Sequence, residues 1–190
     1  MTDPERKNRK TRCSWVPLSD PAYVKYHDEE WGKPLHDDRA LYELLILETF
    51  QAGLSWRCIL HKRENFRKAY EGFYPEKTAA FDTAKVDGLM ADPGIIRNRR
   101  KIEASIRNSQ IFCSLQKEFG SFDAYLWRFT GGRTLREPCD ERTTSPVSDA
   151  LAKDLYRRGM RFVGSTTMYS YLQSAGLIHG HMKACYLAPE

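Results

Sequence analysis

Apolar positions along this chain recur every three to four residues, the spacing that lays side chains on one face of an α-helix. Leu41, Leu44, Leu45, Glu48 and Ala52 share one such stripe, with Asp37 placed to cap a helix and Gly53 to end it. Ser55 opens the next helix, through Cys58, Ile59 and Phe66, and Gly72 stops it. A long charged helix is expected from about Asn98 to Phe119, ending at Gly120, after a short helical stretch from Thr83 to Ala91. Ser121 caps a short helix through Leu126 and Phe129. Ser148 caps another over Asp149 to Arg158 before Gly159, and one more runs from about Thr166 to Ala175 before Gly176. Asp20-Pro21 starts a first helix carrying Tyr23, Tyr26 and His27. Convincing period-2 alternation is absent, so the fold class is all-α. The stretch from Gly131 to Ser145 reads as a linker between two helical lobes. It, the first eleven residues and the last few are expected to be the least ordered parts.

A length of 190 residues suits one compact core, or two small lobes sharing one: a basic tail over 1–11, then a single domain over 12–187. No window approaches 18 uncharged apolar residues, so no membrane span is expected. The first eleven residues lack the apolar centre of a secretory signal, which points to a cytoplasmic protein. Five widely spaced cysteines, an odd number, argue against a disulfide framework. The formal net charge of +5 suits a polyanionic partner such as DNA without demanding one.

Three groups of residues carry candidate chemistry. Glu48 stands on an apolar face, where a carboxylate is either a structural group bonded to a donor or the lining of a pocket. Trp15, Tyr23, Tyr26, Trp31 and Trp56 cluster around it in sequence. They are core residues or, beside a carboxylate, flat π faces suited to a cationic heterocycle. His181 and Cys185 have the i, i+4 spacing that puts two ligands on one face of a helix, and Cys13 and His27 stand near the other terminus. Together they form either a closed Cys₂His₂ zinc site clamping the two chain ends or two buried cysteines and two ordinary histidines, with His179 as a competing ligand. Lastly, Asp92-Pro93-Gly94-Ile95-Ile96-Arg97 joins two helical stretches and precedes Arg99, Arg100 and Lys101. Such a hairpin can aim backbone N–H groups at a phosphate, or be no more than a tight turn.

Taken together, these motifs resemble the 3-methyladenine DNA glycosylase I family of the helix-hairpin-helix glycosylases. The segments that carry the resemblance are Arg12-Cys13-Ser14-Trp15, Tyr26-His27-Asp28-Glu29-Glu30-Trp31-Gly32, Gln51-Ala52-Gly53-Leu54-Ser55-Trp56, Lys62-Arg63-Glu64-Asn65, Gly94-Ile95-Ile96-Arg97, Phe162-Val163-Gly164-Ser165-Thr166 and His181-Met182-Lys183-Ala184-Cys185. They span about Arg12 to Tyr186. The resemblance implies a bacterial enzyme, monomeric, that flips 3-methyladenine out of alkylated duplex DNA and hydrolyses its N-glycosidic bond, leaving an abasic site without strand cleavage. It implies Glu48 as the base-binding and catalytic carboxylate, Tyr26 and Trp56 enclosing the base, and Trp15, Tyr23 and Trp31 completing the wall. It implies Leu54 as a wedge, Gly94, Ile95, Ile96 and Arg97 on the DNA backbone, and structural zinc on Cys13, His27, His181 and Cys185. The wider superfamily carries an Asp beyond the hairpin that stabilises the sugar cation. Here that stretch offers only Glu118 and Asp123, outside that setting. A zinc-stabilised DNA-binding module without chemistry, or a zinc hydrolase, are the rival readings; the first leaves Glu48 unexplained and the second needs an open metal position.

Overall fold

A computed structural model describes residues 10–137 and 142–188. Most of the basic tail, the middle of the linker with Cys139, and the last two residues lie outside the described residues. The helices are α1 (Pro21–Glu29), α2 (Asp38–Gln51), α3 (Trp56–Ala69), α4 (Pro75–Ala79), α5 (Thr83–Ala91), α6 (Arg99–Phe119), α7 (Phe122–Trp127), α8 (Pro146–Arg158) and α9 (Ser165–Ser174). Side chains of Asp20, Asp37, Ser55, Asn98 and Ser121 each accept a backbone N–H of the first turn that follows, as the sequence leads one to expect.

Two expectations shift. Ser145, not Ser148, caps α8: Pro146, which lacks an N–H, fits the first helical position, and Ser148 completes a reciprocal capping pair with Ser145. Helix α4 escapes the apolar periodicity because it is barely one turn long, although Pro75 marks its start. The linker is also less loose than expected in its described first part. Leu135 and Arg136 form a short strand, β1, that pairs in parallel with β2 (Ile178–His179), tying the linker to the segment after α9.

Helix α2 is the axis of the fold. Leu41, Tyr42 and every residue from Leu44 to Phe50 are buried, so this helix is wrapped on all sides rather than along one stripe. One continuous apolar core runs from α1 through α9, joining Tyr26, Leu45, Phe66, Phe112, Leu155 and Leu172. Lys101, buried at the start of α6, donates from Nζ to the carbonyls of Phe50 (2.8 Å) and Ala52 (2.6 Å), the orphan acceptors at the end of α2. The hairpin after α5 therefore approaches the α2–α3 turn. Lys62 of α3 donates to the carbonyl of Pro93 (2.9 Å), and Gly94 lies so close to Asn65 that a Cβ would sit 3.0 Å from its side chain. Lys62 and Asn65 thus support the hairpin.

Candidate active site and metal centre

Glu48 is 2% exposed, on the third turn of the central helix. Its Oε1 accepts a hydrogen bond from the Ser174 hydroxyl (3.0 Å), and that hydroxyl accepts one from Tyr26 OH (3.2 Å). Its Oε2 is buried and has no protein partner. Burial pushes the Glu48 carboxyl up to about 8, with the Ser174 hydrogen bond pulling the other way. A carboxylate is costly to leave half-satisfied in an apolar helix, and a free buried acceptor marks a place built for a donor from outside the chain.

Glu48 lines two cavities. One cavity of about 190 Å³ is bounded by Trp15, Tyr23, Tyr26, Trp31, Trp56 and Glu48, with Gln51, Ser170, Gln173 and Ser174 completing its lining. The rings follow one another around the wall. Centroids are 4.8 Å apart for Trp31 and Trp15, 6.0 Å for Trp15 and Tyr23, 6.4 Å for Tyr23 and Tyr26, and 5.2 Å for Tyr26 and Trp56. Trp56 Nε1 is also buried without an acceptor. A second cavity of about 140 Å³ shares Glu48, Gln51 and Ser170 and opens past Gly53, Leu54, Thr166 and Thr167. Leu54, 42% exposed, stands at its rim. Among the described residues, Glu48 is the one carboxylate in the lining of either cavity. Glu118 pairs instead with Arg158 and Asp123 with His36, away from both.

Cys13, His27, His181 and Cys185 are all buried, and their ligand atoms lie within 4.8 Å of one another. Cys185 Sγ is 3.6 Å from both His27 Nε2 and His181 Nδ1, and Cys13 Sγ is 3.7 Å from His181 Nδ1. This set can hold a metal ion with no position left open. His27 Nδ1 lies 2.8 Å from Asp28, whose carboxyl is held well below the usual range by the Arg12 guanidinium at 2.6 Å. Backbone N–H groups of Met182 and Leu187 point at the two sulfurs. The expected helix over His181 to Cys185 is absent: Cys185 N–H donates to the Met182 carbonyl, closing a turn. A segment this short cannot meet the cost of helix nucleation, and a turn brings the two ligands together equally well. His179 instead lies on β2, outside the cluster.

The two sites share a wall. Trp31 packs against His181 (4.7 Å between ring centroids) and Trp15 against His27 (5.3 Å). Gly180 makes the first contact possible, since a Cβ there would lie 2.7 Å from the Trp31 ring. At the hairpin, Ile95 is in the core, so only its backbone can face outward. Gly94 N–H is already taken by the Asp92 side chain (2.7 Å), whereas the amides of Ile95, Ile96 and Arg97 meet no acceptor among the described residues. Sequence reasoning named every ring of the wall but missed Ser174, Ser170 and Gln173 as parts of the site, and it grouped Lys101 with Arg99 and Arg100 as a cation for the phosphate backbone, whereas Lys101 is buried on the carbonyls of Phe50 and Ala52. Ser170 and Ser174 do stand one turn apart on a single face of α9, the one signal that marks the pair.

The methyladenine glycosylase family model matches residues 15–188. DNA-3-methyladenine glycosylase 1 of Escherichia coli strain K12 is 42% identical over 185 residues, covering 94% of this chain and 97% of that protein. The crystal structure of a 3-methyladenine DNA glycosylase I superposes with a TM-score of 0.90 at 42% identity, over 94% of this chain and all of that one. A structure addressing 3-methyladenine recognition by the Staphylococcus aureus glycosylase I superposes with a TM-score of 0.86 at 38% identity, over 90% of this chain and 93% of that one.

Proposed function

This chain belongs to the methyladenine glycosylase family, and from that premise we propose how its residues excise 3-methyladenine from alkylated DNA. The enzyme is a hydrolase of base-excision repair: it breaks the N-glycosidic bond and releases the free base. The observation that carries the residue assignment is Glu48, a buried carboxylate in the lining of an aromatic cavity with its Oε2 unpartnered.

Methylation at N3 leaves the adenine of DNA positively charged and its glycosidic bond weak. The base is then already a good leaving group, and recognition of the cation can supply most of the selectivity. Glu48, ionised once the cationic base is beside it, accepts from the exocyclic amino group of the base at Oε2 and offsets its charge. Tyr26 and Trp56 enclose the ring, and Trp15, Tyr23 and Trp31 close the remaining wall. The nucleotide enters past Leu54, whose exposed side chain fills the gap left in the duplex. Backbone N–H groups of Ile95, Ile96 and Arg97, with the Arg97 cation, hold a phosphate on the same face. Among the described residues no lysine lines either cavity, and Lys101 is held by two carbonyls, which supports base removal without strand cleavage.

The metal we assign to the Cys₂His₂ cluster is zinc, one per chain. Tetrahedral zinc with its usual bond lengths separates sulfur from nitrogen by about 3.6 Å, which agrees with the distances between the ligands. Zinc there supplies a cross-link between the chain ends rather than a reacting centre. Its two histidine ligands buttress Trp15 and Trp31 from behind. The substrate is duplex DNA, met by a monomer in the bacterial cytoplasm, since one lesion requires one site. No helix of the described residues is long and apolar enough to cross a membrane.

Chromatography of bases released from methylated duplex DNA tests the reading. The expected product is 3-methyladenine with little 7-methylguanine, because Glu48 offers an acceptor for the amino group that adenine carries at C6, where guanine carries a carbonyl oxygen. Folded, metal-loaded protein that releases neither base would refute it.

A further inference from the structure

Ser174 is 7% exposed and sits between two groups that each need something from it. Tyr26 is buried, and its phenol donates to Ser174 Oγ at 3.2 Å. A serine hydroxyl has a single proton, so with its oxygen accepting from Tyr26, that proton goes to Glu48 Oε1 at 3.0 Å. The chain Tyr26 to Ser174 to Glu48 therefore runs in one direction. It gives Oε1 a donor and leaves Oε2 without one. The terminal torsion of a glutamate is soft, so without this hydrogen bond nothing in the chain distinguishes its two oxygens.

We propose that Ser174 is a positioning residue for the excision reaction: its hydroxyl, oriented by Tyr26, fixes Glu48 through Oε1 so that Oε2 alone is presented to the base. The inference rests on the glycosylase reading of the site. It assigns a role to a side chain on α9, 126 residues away in sequence from the carboxylate it controls.

The surroundings of Glu48 leave this task to Ser174. Tyr23 and Tyr26 face it from α1 and Tyr171 from α9, all three uncharged and with phenol protons held more tightly because of burial and the nearby carboxylate. Tyr171 donates its own proton to the Leu41 carbonyl. Trp56 approaches from α3 as part of the cavity lining. No lysine or arginine pairs with Glu48 among the described residues, and the Ser174 hydrogen bond is the one protein contact that favours its ionised form. Ser174 and Tyr26 also form the partition between the aromatic cavity and a further cavity of about 200 Å³ lined by Glu29, Glu30, Lys33 and Arg63. A purely structural role as that partition is the alternative to be separated.

The test compares wild type, Ser174→Ala and Ser174→Thr in single-turnover release of 3-methyladenine from methylated duplex DNA, each across a range of pH, with metal-loaded protein. Loss of a hydrogen bond to a charged group predicts about tenfold slower excision for Ser174→Ala at neutral pH. Because that bond favours the carboxylate, its loss moves the acid limb of the profile to higher pH. Ser174→Thr, which keeps the hydroxyl, stays within about threefold of wild type and keeps the wild-type limb. In a Glu48→Gln background, Ser174→Ala produces no further displacement of the limb. A folded Ser174→Ala protein with wild-type rate and limb overturns the proposal. So does a slower Ser174→Ala whose limb is unmoved, the signature of a partition alone. Wild type that releases no 3-methyladenine removes the glycosylase reading and this role with it, whereas active wild type beside an unaffected Ser174→Ala removes the role only.

Discussion

Glu48→Gln should make the free protein more stable, and increasingly so as pH rises. The side chains are nearly isosteric, so the change removes a titration and leaves the packing of α2 in place. Burial raises the Glu48 carboxyl from an ordinary value of 4.5 to about 8. Below about pH 4.5 the acid is protonated in both folded and unfolded chains and costs nothing extra. Between about pH 4.5 and about pH 8 the folded protein keeps a proton that the unfolded chain has released, so stability falls by about 1.4 kcal/mol per pH unit. The loss is about 3 kcal/mol by pH 7 and levels off near 5 kcal/mol above about pH 8. Glutamine has no such slope. Every other titrating group is common to both proteins and cancels in the difference. For a chain of this length the widening gap corresponds to about 10 °C in Tm between acidic and mildly alkaline buffer. Scanning calorimetry of metal-loaded wild type and variant at about pH 5 and about pH 8.5 measures it. A Tm difference that stays constant with pH would refute the burial argument, whatever its size. The same variant should excise 3-methyladenine about 10- to 100-fold more slowly, since an amide offers the cation a weaker acceptor and no charge. Stability gained at the cost of function is the expected mark of a carboxylate kept for its ligand.

Three further outcomes follow from the same structure. Removing zinc with a chelator should lower Tm by on the order of 10 °C and broaden the fluorescence of Trp15 and Trp31, because the cluster cross-links the chain ends and backs both rings; elemental analysis showing no metal in fully stable protein would contradict this. Leu54→Ala should leave urea unfolding within about 0.5 kcal/mol of wild type, as its side chain is exposed, yet reduce flipping in duplex DNA carrying a fluorescent base. Lys101→Met should cost about 2–3 kcal/mol in urea unfolding, since it strands the carbonyls of Phe50 and Ala52 at the end of α2; an unchanged midpoint would mean that water replaces the ammonium there.

The chain's own order of residues determined most helices of this protein, because the signals involved are local. An Asp, Asn or Ser one position before an apolar run caps the helix that follows, and glycines end several of them. Glu48 was legible too, as the one charge on an apolar stripe, and so were the aromatic residues and the four metal ligands as residue types. Their assembly was not. Nothing local says that position 174 faces position 48, that Lys101 ends α2, or that the rings of Trp15 and Trp31 lean on His27 and His181. Those relations were decided when α2 was enclosed by helices from both ends of the chain. Burial then shielded Glu48 from bulk solvent, and the one donor that reached it among the described residues, Ser174, occupied a single oxygen. Local propensity selects elements through neighbours a few residues apart. The free oxygen that makes the site exists because distant segments exclude solvent from one atom and satisfy its twin.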